Sequence, residues 1–383
     1  MTNKNKEMTD WYCPLPFKHA FVDSNGISSC CQLTRQQTSL DEWHTNPKLL
    51  QLQQQTLSGT APAQCQACVT QEQLQGHSLR TDSWADYNHE KFTATDINFI
   101  DYRSSNICNF KCRSCAPEFS HGIAKETRDT VGLQKFNVVV ADKTVGVDET
   151  NRAWIVNNLS NIKRLMFTGG EPTVIPEVKL ILEEVRRQNI HDLSVLITTN
   201  GSFVDKFWYD ITQEFTNLHW TVSVDAVDHA AEIVRHGTNW TTVEHNLRWL
   251  AKHARSMDIN TVVSNLNVLQ LAPLLRFVRE IQLQSIDSGQ MGSDGCRHQF
   301  FVCQRPYMLA ADNWPDQMIV LEYLNHCLAL DLDSAQRSTI ENLVDAIRNN
   351  PFRIELWAKS VEYNAILDNI RNEDHNILRD PTW

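Results

Sequence analysis

An alternation of short apolar runs and helical stretches between about residues 97 and 284 most restricts what this chain can fold into. Ile97–Tyr102, Arg164–Phe167, Ser194–Thr198, His219–Val224 and Asn260–Ser264 read as strands. Pro176–Gln188, Val204–Glu214, Thr241–Met257 and Leu271–Gln284 carry apolar residues at a spacing near 3.6. In Thr241–Met257 the residues Val243, Leu247, Leu250, Ala251 and Ala254 fall on one stripe. Strands alternating with helices are βαβ units, which predict an α/β fold with a parallel sheet. Five or six such units predict a partial or full barrel, with its chemistry at the C-terminal ends of the strands.

The flanks read differently. Residues 1–90 predict a small, turn-rich unit. It has a short strand near Phe17–Val22, a turn at Ser24-Asn25-Gly26, and a helix over Leu40–Leu57 broken at Pro47. Residues 91–290 hold the alternating core. Residues 291–383 predict a mostly helical extension, clearest at Asp333–Asn349 and Pro351–Asn369. Of the 383 residues 42% are hydrophobic, enough for a sizeable core and against global disorder. No apolar run approaches the ~20 residues that span a bilayer, and Met1–Asp10 lacks a signal core. A cytoplasmic protein without a membrane partner is expected. A net charge of −11 argues against nucleic acid as a partner.

In a reducing compartment the 11 cysteines point to metal ligation rather than disulfides. Five lie between Cys13 and Cys68, three between Cys108 and Cys115, and three between Cys296 and Cys327. Cys108-x3-Cys112-x2-Cys115 follows the first barrel-like strand. Three ligands on so short a loop leave one coordination position open, which separates reactive metal sites from structural ones. Zinc and iron–sulfur ligation both suit the spacing. At the end of the next strand lies Thr168-Gly169-Gly170-Glu171-Pro172. Its glycines permit close approach of a ligand to the backbone, and Glu171 supplies a fixed acceptor.

Together these motifs resemble the radical S-adenosylmethionine (radical SAM) family, over about Ile97 to Gln284. The resemblance implies a partial (β/α)6 TIM-like barrel. It implies a [4Fe–4S] cluster on Cys108, Cys112 and Cys115, whose open iron is chelated by S-adenosylmethionine. The activity implied is reductive cleavage to a 5′-deoxyadenosyl radical, which abstracts a hydrogen atom from substrate. Thr168, Gly169, Gly170 and Glu171 match the segment that binds the methionine amino group. Thr199 and Asn200, in Ile197-Thr-Thr-Asn-Gly201, match the next strand end near the cofactor. Ser223 matches a ribose contact, Arg235 a partner of the methionine carboxylate, and Asn267 a polar residue on the last core strand. Asp225 is a candidate acid or base, or a strand-end cap. The position before the last cluster cysteine is usually aromatic in the family. Here it is Ser114, with Phe110 as the nearby aromatic residue.

The N-terminal cysteines fit the same resemblance. Cys13-Pro-Leu-Pro, Gly26, Cys30-Cys31, Trp43 and Cys65-x2-Cys68 resemble the SPASM/twitch auxiliary-cluster module of radical SAM enzymes, placed here before the barrel instead of after it. The resemblance implies a second, auxiliary [4Fe–4S] cluster on Cys13, Cys30, Cys65 and Cys68, with Cys31 spare. A structural zinc site is the alternative on ligand type. Cys303 is a candidate hydrogen donor to a substrate radical, and Cys296 a weaker one, against the plain reading of buried small hydrophobes. A peptide or protein substrate is expected, with a flavodoxin or ferredoxin as electron donor and no leader-binding domain ahead of Cys13. The alternatives are dehydrogenation of a sugar or cyclitol, RNA modification, and a non-catalytic iron–sulfur protein.

Overall fold

The computed structural model describes residues 11–137, 149–190, 192–293, 295–303 and 305–383. The polar segment Met1–Asp10 lies outside them. The strands are β1 His19–Asp23, β2 Gly26–Ser28, β3 Phe99–Arg103, β4 Lys111–Cys112, β5 Arg164–Phe167, β6 Ser194–Thr199, β7 Leu218–Ser223, β8 Arg235–His236, β9 Met257–Val263 and β10 Arg297–Val302. Contacts divide the chain into two compact units. One comprises Met1–Ser105, Val145–Gly169 and Glu177–Val195; the other comprises Asn106–Thr144, Gly170–Pro176 and Leu196–Trp383. This division differs from the three expected segments 1–90, 91–290 and 291–383, because β1 bonds to β3 and β10 bonds to β9.

In the first unit β1 and β2 form an antiparallel hairpin, with Phe21 opposite Ser28. The Asn25 N–H closes the turn onto Asp23 Oδ1 at 2.7 Å. β1 runs parallel to β3, from His19 opposite Phe99 to Asp23 opposite Arg103, and β3 runs parallel to β5. The expected strand at Phe17 begins two residues later, because Leu15–Lys18 makes one helical turn first. The expected helix over Leu40–Leu57 is two helices, Leu40–Trp43 and Pro47–Leu57. Pro47 supplies no N–H to continue the first helix and opens the second, where the Asn46 side chain accepts from Lys48 N. Leu49 and Leu52 of the second helix are buried, and Phe17, Phe21, Ile27, Ile100, Leu165 and Phe167 are core residues of the unit.

In the second unit β7 runs parallel to β9 and β9 to β10. Parallel pairing dominates both units, an α/β arrangement consistent with a partial barrel. The helix Trp240–His253 buries Val243, Leu247, Leu250 and Ala251, the stripe expected from its period. It stops short of Met257, which opens β9. Three long helices follow the sheet: Gln317–Leu328, Ser334–Asn349 and Ile354–Arg371. One strand contradicts the expectation of helix beyond residue 291, namely β10. Its His298 and Phe300 are buried, which gives a strand alternation too short to read in sequence. Among the described residues no helix is long and apolar enough to cross a membrane.

His298 joins β10 to its neighbours. Its Nε2 lies 2.9 Å from Thr261 Oγ1 on β9, and its Nδ1 lies 2.8 Å from Gln336 Nε2 on the helix Ser334–Asn349. Burial lowers its imidazole from 6.5 to about 4. The unfolded chain therefore takes up a proton at a pH where the folded chain does not. Stability falls as pH drops from about 6.5 to about 4, by roughly 3 kcal/mol from this group. Urea unfolding across that range should show a shallower acid slope in His298→Leu than in the parent.

Candidate metal centre and cofactor site

The cysteine loop belongs to the second unit and is pinned at its middle. β4 pairs antiparallel with β8, placing Cys112 opposite Arg235 and Lys111 opposite His236. Cys108 N–H donates to His121 Nδ1 at 3.2 Å, Phe110 N–H to Cys108 Sγ at 3.4 Å, and Cys115 N–H to Cys112 O at 3.1 Å. Burial pushes the Cys108 and Cys115 thiols up to about 12, and the Cys112 thiol up as well. Cys112 acts electrostatically on Cys108 and Cys115, and Cys108 on Cys115, so the three share one neighbourhood. Metal-free, they are protonated; a metal must displace those protons to bind. Phe110 is buried, and its carbonyl accepts from Ser120 Oγ at 2.8 Å.

Gly170 and Glu171 lie against this loop. Glu171 N–H donates to Ile107 O at 2.8 Å, and a Cβ on Gly170 would fall 2.1 Å from that same oxygen. Only glycine fits there. The Glu171 carboxylate is 1% exposed. Its Oε1 accepts from Thr173 N, Thr173 Oγ1 and Thr199 Oγ1, and its Oε2 from Asn200 N. Burial raises its pKa against those bonds. Asn200 Nδ2 donates to Asn109 Oδ1 at 2.9 Å, and Asn109 Nδ2 to Ser202 Oγ at 2.8 Å, tying the end of β6 to the cysteine loop. Thr199 and Asn200 thus brace the site from within the protein. In the first unit Thr168 Oγ1 donates to Asp101 Oδ1 at 3.0 Å, and Gly169 turns at φ +108°, where its Cβ would meet Ser105 O at 3.0 Å.

At the other strand ends Ser223 closes β7 and Arg235 opens β8. Arg235 Nη1 donates to Asp225 Oδ2 at 2.8 Å. Its Nε is buried without a partner among the described residues. Burial pulls this guanidinium down, but Cys112 and Asp225 hold it above its ordinary value. Asp225 Oδ1 accepts from Val262 N at 2.9 Å, so both carboxylate oxygens are engaged and the residue orients Arg235. Asn267, expected as a cofactor contact, serves the fold. Its amide donates to Asp225 O and Val262 O, and its oxygen accepts from Ser264 N and Oγ, which uses all four hydrogen-bonding positions.

The residues that sequence reasoning missed are Arg113 in the cysteine loop and the C-terminal side chains that hold it. Arg113, between two of the loop cysteines, has no exposed surface. Its Nη2 meets Asp368 at 2.5 Å and Glu373 at 2.6 Å, its Nη1 meets Asn364 Oδ1 at 3.0 Å, and its Nε meets Ile233 O at 3.1 Å. Glu373 also accepts from His236 Nδ1. Lys111 and Arg371 both bond Glu126. Partners more than 240 residues apart leave no local signal.

Cys303, Cys296 and Cys327 are separated. Cys303 follows the C-terminal end of β10, with its N–H on Val263 O at 2.7 Å and its thiol donating to Arg305 O at 3.3 Å. Burial pushes it up to about 11, and Asp225 acts on it. Cys296 precedes β10 at the opposite end, and Cys327 is buried in the helix Gln317–Leu328.

In the first unit Cys13, Cys30, Cys65 and Cys68 line one recess with Trp11, Leu15, Leu33, Leu52 and Leu79. Cys31 is exposed and does not line the recess; burial raises its thiol, with Arg103, Asp101 and Arg35 acting on it, and it acts in turn on Cys30. Burial raises Cys13 well above its ordinary value and pushes Cys30 and Cys65 to about 12. Two lining residues, Trp11 and Ser29, carry a buried Nε1 and Oγ without a partner among the described residues. Neither cysteine set brings three sulfurs within 4.8 Å of one another; among the described residues only Asp368, Asp374 and His375 do so with their ligand atoms. Three thiols on one loop and four around one recess are donor sets that fit [4Fe–4S] chemistry.

Residues 102–278 match the Radical SAM superfamily model. This stretch of the chain is similar to the radical SAM superfamily. A GTP 3′,8-cyclase of Staphylococcus saprophyticus is 26% identical over 196 residues, 49% of this chain and 53% of that protein. An S-adenosylmethionine-dependent nucleotide dehydratase of Flammeovirga pacifica is 24% identical over 179 residues, 45% of this chain and 56% of that protein. The chain thus spans about half the length of these curated relatives. Streptococcus suis SuiB bound to S-adenosylmethionine aligns with a TM-score of 0.40 at 12% identity, over 81% of this chain and 68% of that one. AdoMet-bound anSMEcpe aligns at 0.36 and 19% identity, over 58% and 57%. Likeness at this level fixes neither substrate nor reaction.

Gly170→Ala tests the contact between the two loops. The added methyl would overlap Ile107 O, so Ile107–Cys108 must shift. Anaerobic reconstitution should load less than half the parent's iron on the cysteine loop, measured in a chain whose far-ultraviolet circular dichroism is unchanged.

Proposed function

We propose that this chain is a radical SAM enzyme that abstracts a hydrogen atom from a peptide or protein substrate and so oxidises or crosslinks it. Cys108, Cys112 and Cys115 hold the active [4Fe–4S] cluster. Bound there, the cluster supplies the electron that cleaves S-adenosylmethionine to the 5′-deoxyadenosyl radical, the species that takes hydrogen from substrate. Arg235 binds the methionine carboxylate, with Asp225 fixing the guanidinium. Gly169 and Gly170 offer backbone to the methionine amino group, while Glu171 holds the end of that turn in place. Ser223 contacts the ribose. The single observation that carries the S-adenosylmethionine site is Arg235: a largely buried guanidinium opposite Cys112, whose buried Nε–H has no partner among the described residues, has the charge and the donor a carboxylate needs.

The auxiliary role follows the same reasoning. Cys13, Cys30, Cys65 and Cys68 hold a second [4Fe–4S] cluster in a twitch-type module, and Cys31 stays free. The unpartnered buried donors of Trp11 and Ser29 beside these thiols support this, since they suit sulfide acceptors. Where the outcome is epimerisation instead of oxidation, Cys303 returns a hydrogen atom to the substrate radical and is left as a thiyl radical, which one electron from the donor and a proton restore; its place at the same strand end as Asp225 supports this role. A cytoplasmic location and a flavodoxin- or ferredoxin-type donor complete the reading.

A nucleotide substrate is the second reading. It is favoured by the two curated relatives, whose names specify a GTP cyclase and a nucleotide dehydratase. Anaerobic, reduced, reconstituted enzyme should form 5′-deoxyadenosine, and Cys112→Ala should form none. Acceleration by a nucleoside triphosphate, but not by peptide pools, would select the second reading. Product equal to the Cys112→Ala level would end both. Arg235→Gln should weaken S-adenosylmethionine binding about 10- to 100-fold, the loss of one charge-assisted contact, measured by equilibrium dialysis.

A further inference from the structure

Arg371 stands at the end of the helix Ile354–Arg371, 259 residues beyond Cys112, and its side chain is 1% exposed. Its Nη2 meets Glu126 Oε2 at 2.7 Å, and its Nε meets Glu126 Oε1 at 3.3 Å. Its Nη1 is buried and has no partner among the described residues. A buried guanidinium N–H left without an acceptor is costly, so an acceptor is expected there. The guanidinium is one of the charges that act on the Cys112 thiol. No other role in the site engages it.

Its position is over-determined. Three residues before it, Asp368 is locked to Arg113, and two residues after it, Glu373 is locked to Arg113 and His236. Tyr363, one helix face earlier, donates to Arg113 O at 3.0 Å. Glu126 follows the cysteine loop on the helix His121–Asp129 and also receives Lys111, the residue before Cys112. Asp368, Asp374 and His375 resemble a cation site, but Asp368 is already paired to Arg113, and His375 Nε2 lies 3.2 Å from Arg379.

We propose that Arg371 is a second guanidinium of the cluster site, donating its Nη1–H to the sulfur side of the centre held at Cys112. This rests on Cys108, Cys112 and Cys115 being cluster ligands. A fixed cation at that point favours the more negatively charged, reduced state. Glu126 opposes it and holds it in place. Arg113 and its two carboxylates carry the helix end to the loop, which makes the C-terminal segment part of the active centre.

The test uses the full-length chain, reconstituted anaerobically, with iron per chain and the midpoint potential of the S-adenosylmethionine-responsive signal read by redox titration. Arg371→Gln should keep its iron and shift the midpoint negative. Arg371→Lys, which keeps the charge, should lie between Arg371→Gln and the parent. Glu126→Gln removes the opposing charge and should shift the midpoint positive. An unchanged midpoint in Arg371→Gln, with iron retained, overturns the proposal alone. Should Arg371→Gln fail to hold iron, a Glu126→Gln midpoint equal to or below the parent's overturns it. A parent chain that takes up no iron at the loop overturns both this proposal and the cluster reading beneath it.

Discussion

The rest of the second unit's site depends on one buried carboxylate. Glu171 has almost no exposed surface, yet it accepts four hydrogen bonds, from Thr173 and from the end of β6 at Thr199 and Asn200. A charge so desolvated is tolerable only when fully engaged. Those bonds therefore fix two strand-end turns against each other. Asn200 passes the constraint to Asn109 in the cysteine loop, and Glu171 N–H fixes Ile107 directly. The loop is shaped by the protein before any metal arrives.

The two sets of clustered cysteines share a chemistry but not an environment. In both, burial raises the thiols far above neutral pH, so metal uptake is coupled to proton release. On the loop set Arg235 and Arg371 act on Cys112, against Asp225 on Cys112 and Glu171 on Cys108. The N-terminal set sits in a largely apolar recess, where Arg80, paired with Glu72, is the cation that acts on Cys65. The first surrounding suits a centre that must bind an anionic group at an open position. The second suits a closed one.

Much of the fold was legible because its signals are local. The stripe Val243, Leu247, Leu250 and Ala251 marks one helix, and Pro47 splits another. The cysteine triplet and Thr168–Glu171 stood out for the same reason, as short motifs at strand ends. β10 did not, since only His298 and Phe300 alternate inward on it. Asn267 and Asp225 were seen as polar residues near a strand end. Their task of holding each other and Arg235 depends on bonds across strands that no spacing encodes. Arg113 and Arg371 were illegible for the same reason, with acceptors on distant segments.

The central claim is that the chain holds two clusters, one of them on the cysteine loop. Iron and acid-labile sulfide per chain after anaerobic reconstitution, with a Cys108/Cys112/Cys115→Ala triple variant alongside, test it most directly. The account predicts about eight irons in the parent and about four in the variant, from two cubanes and then one. About four irons and one zinc in the parent would keep the active cluster and contradict the auxiliary one. No iron in either protein would contradict the whole account.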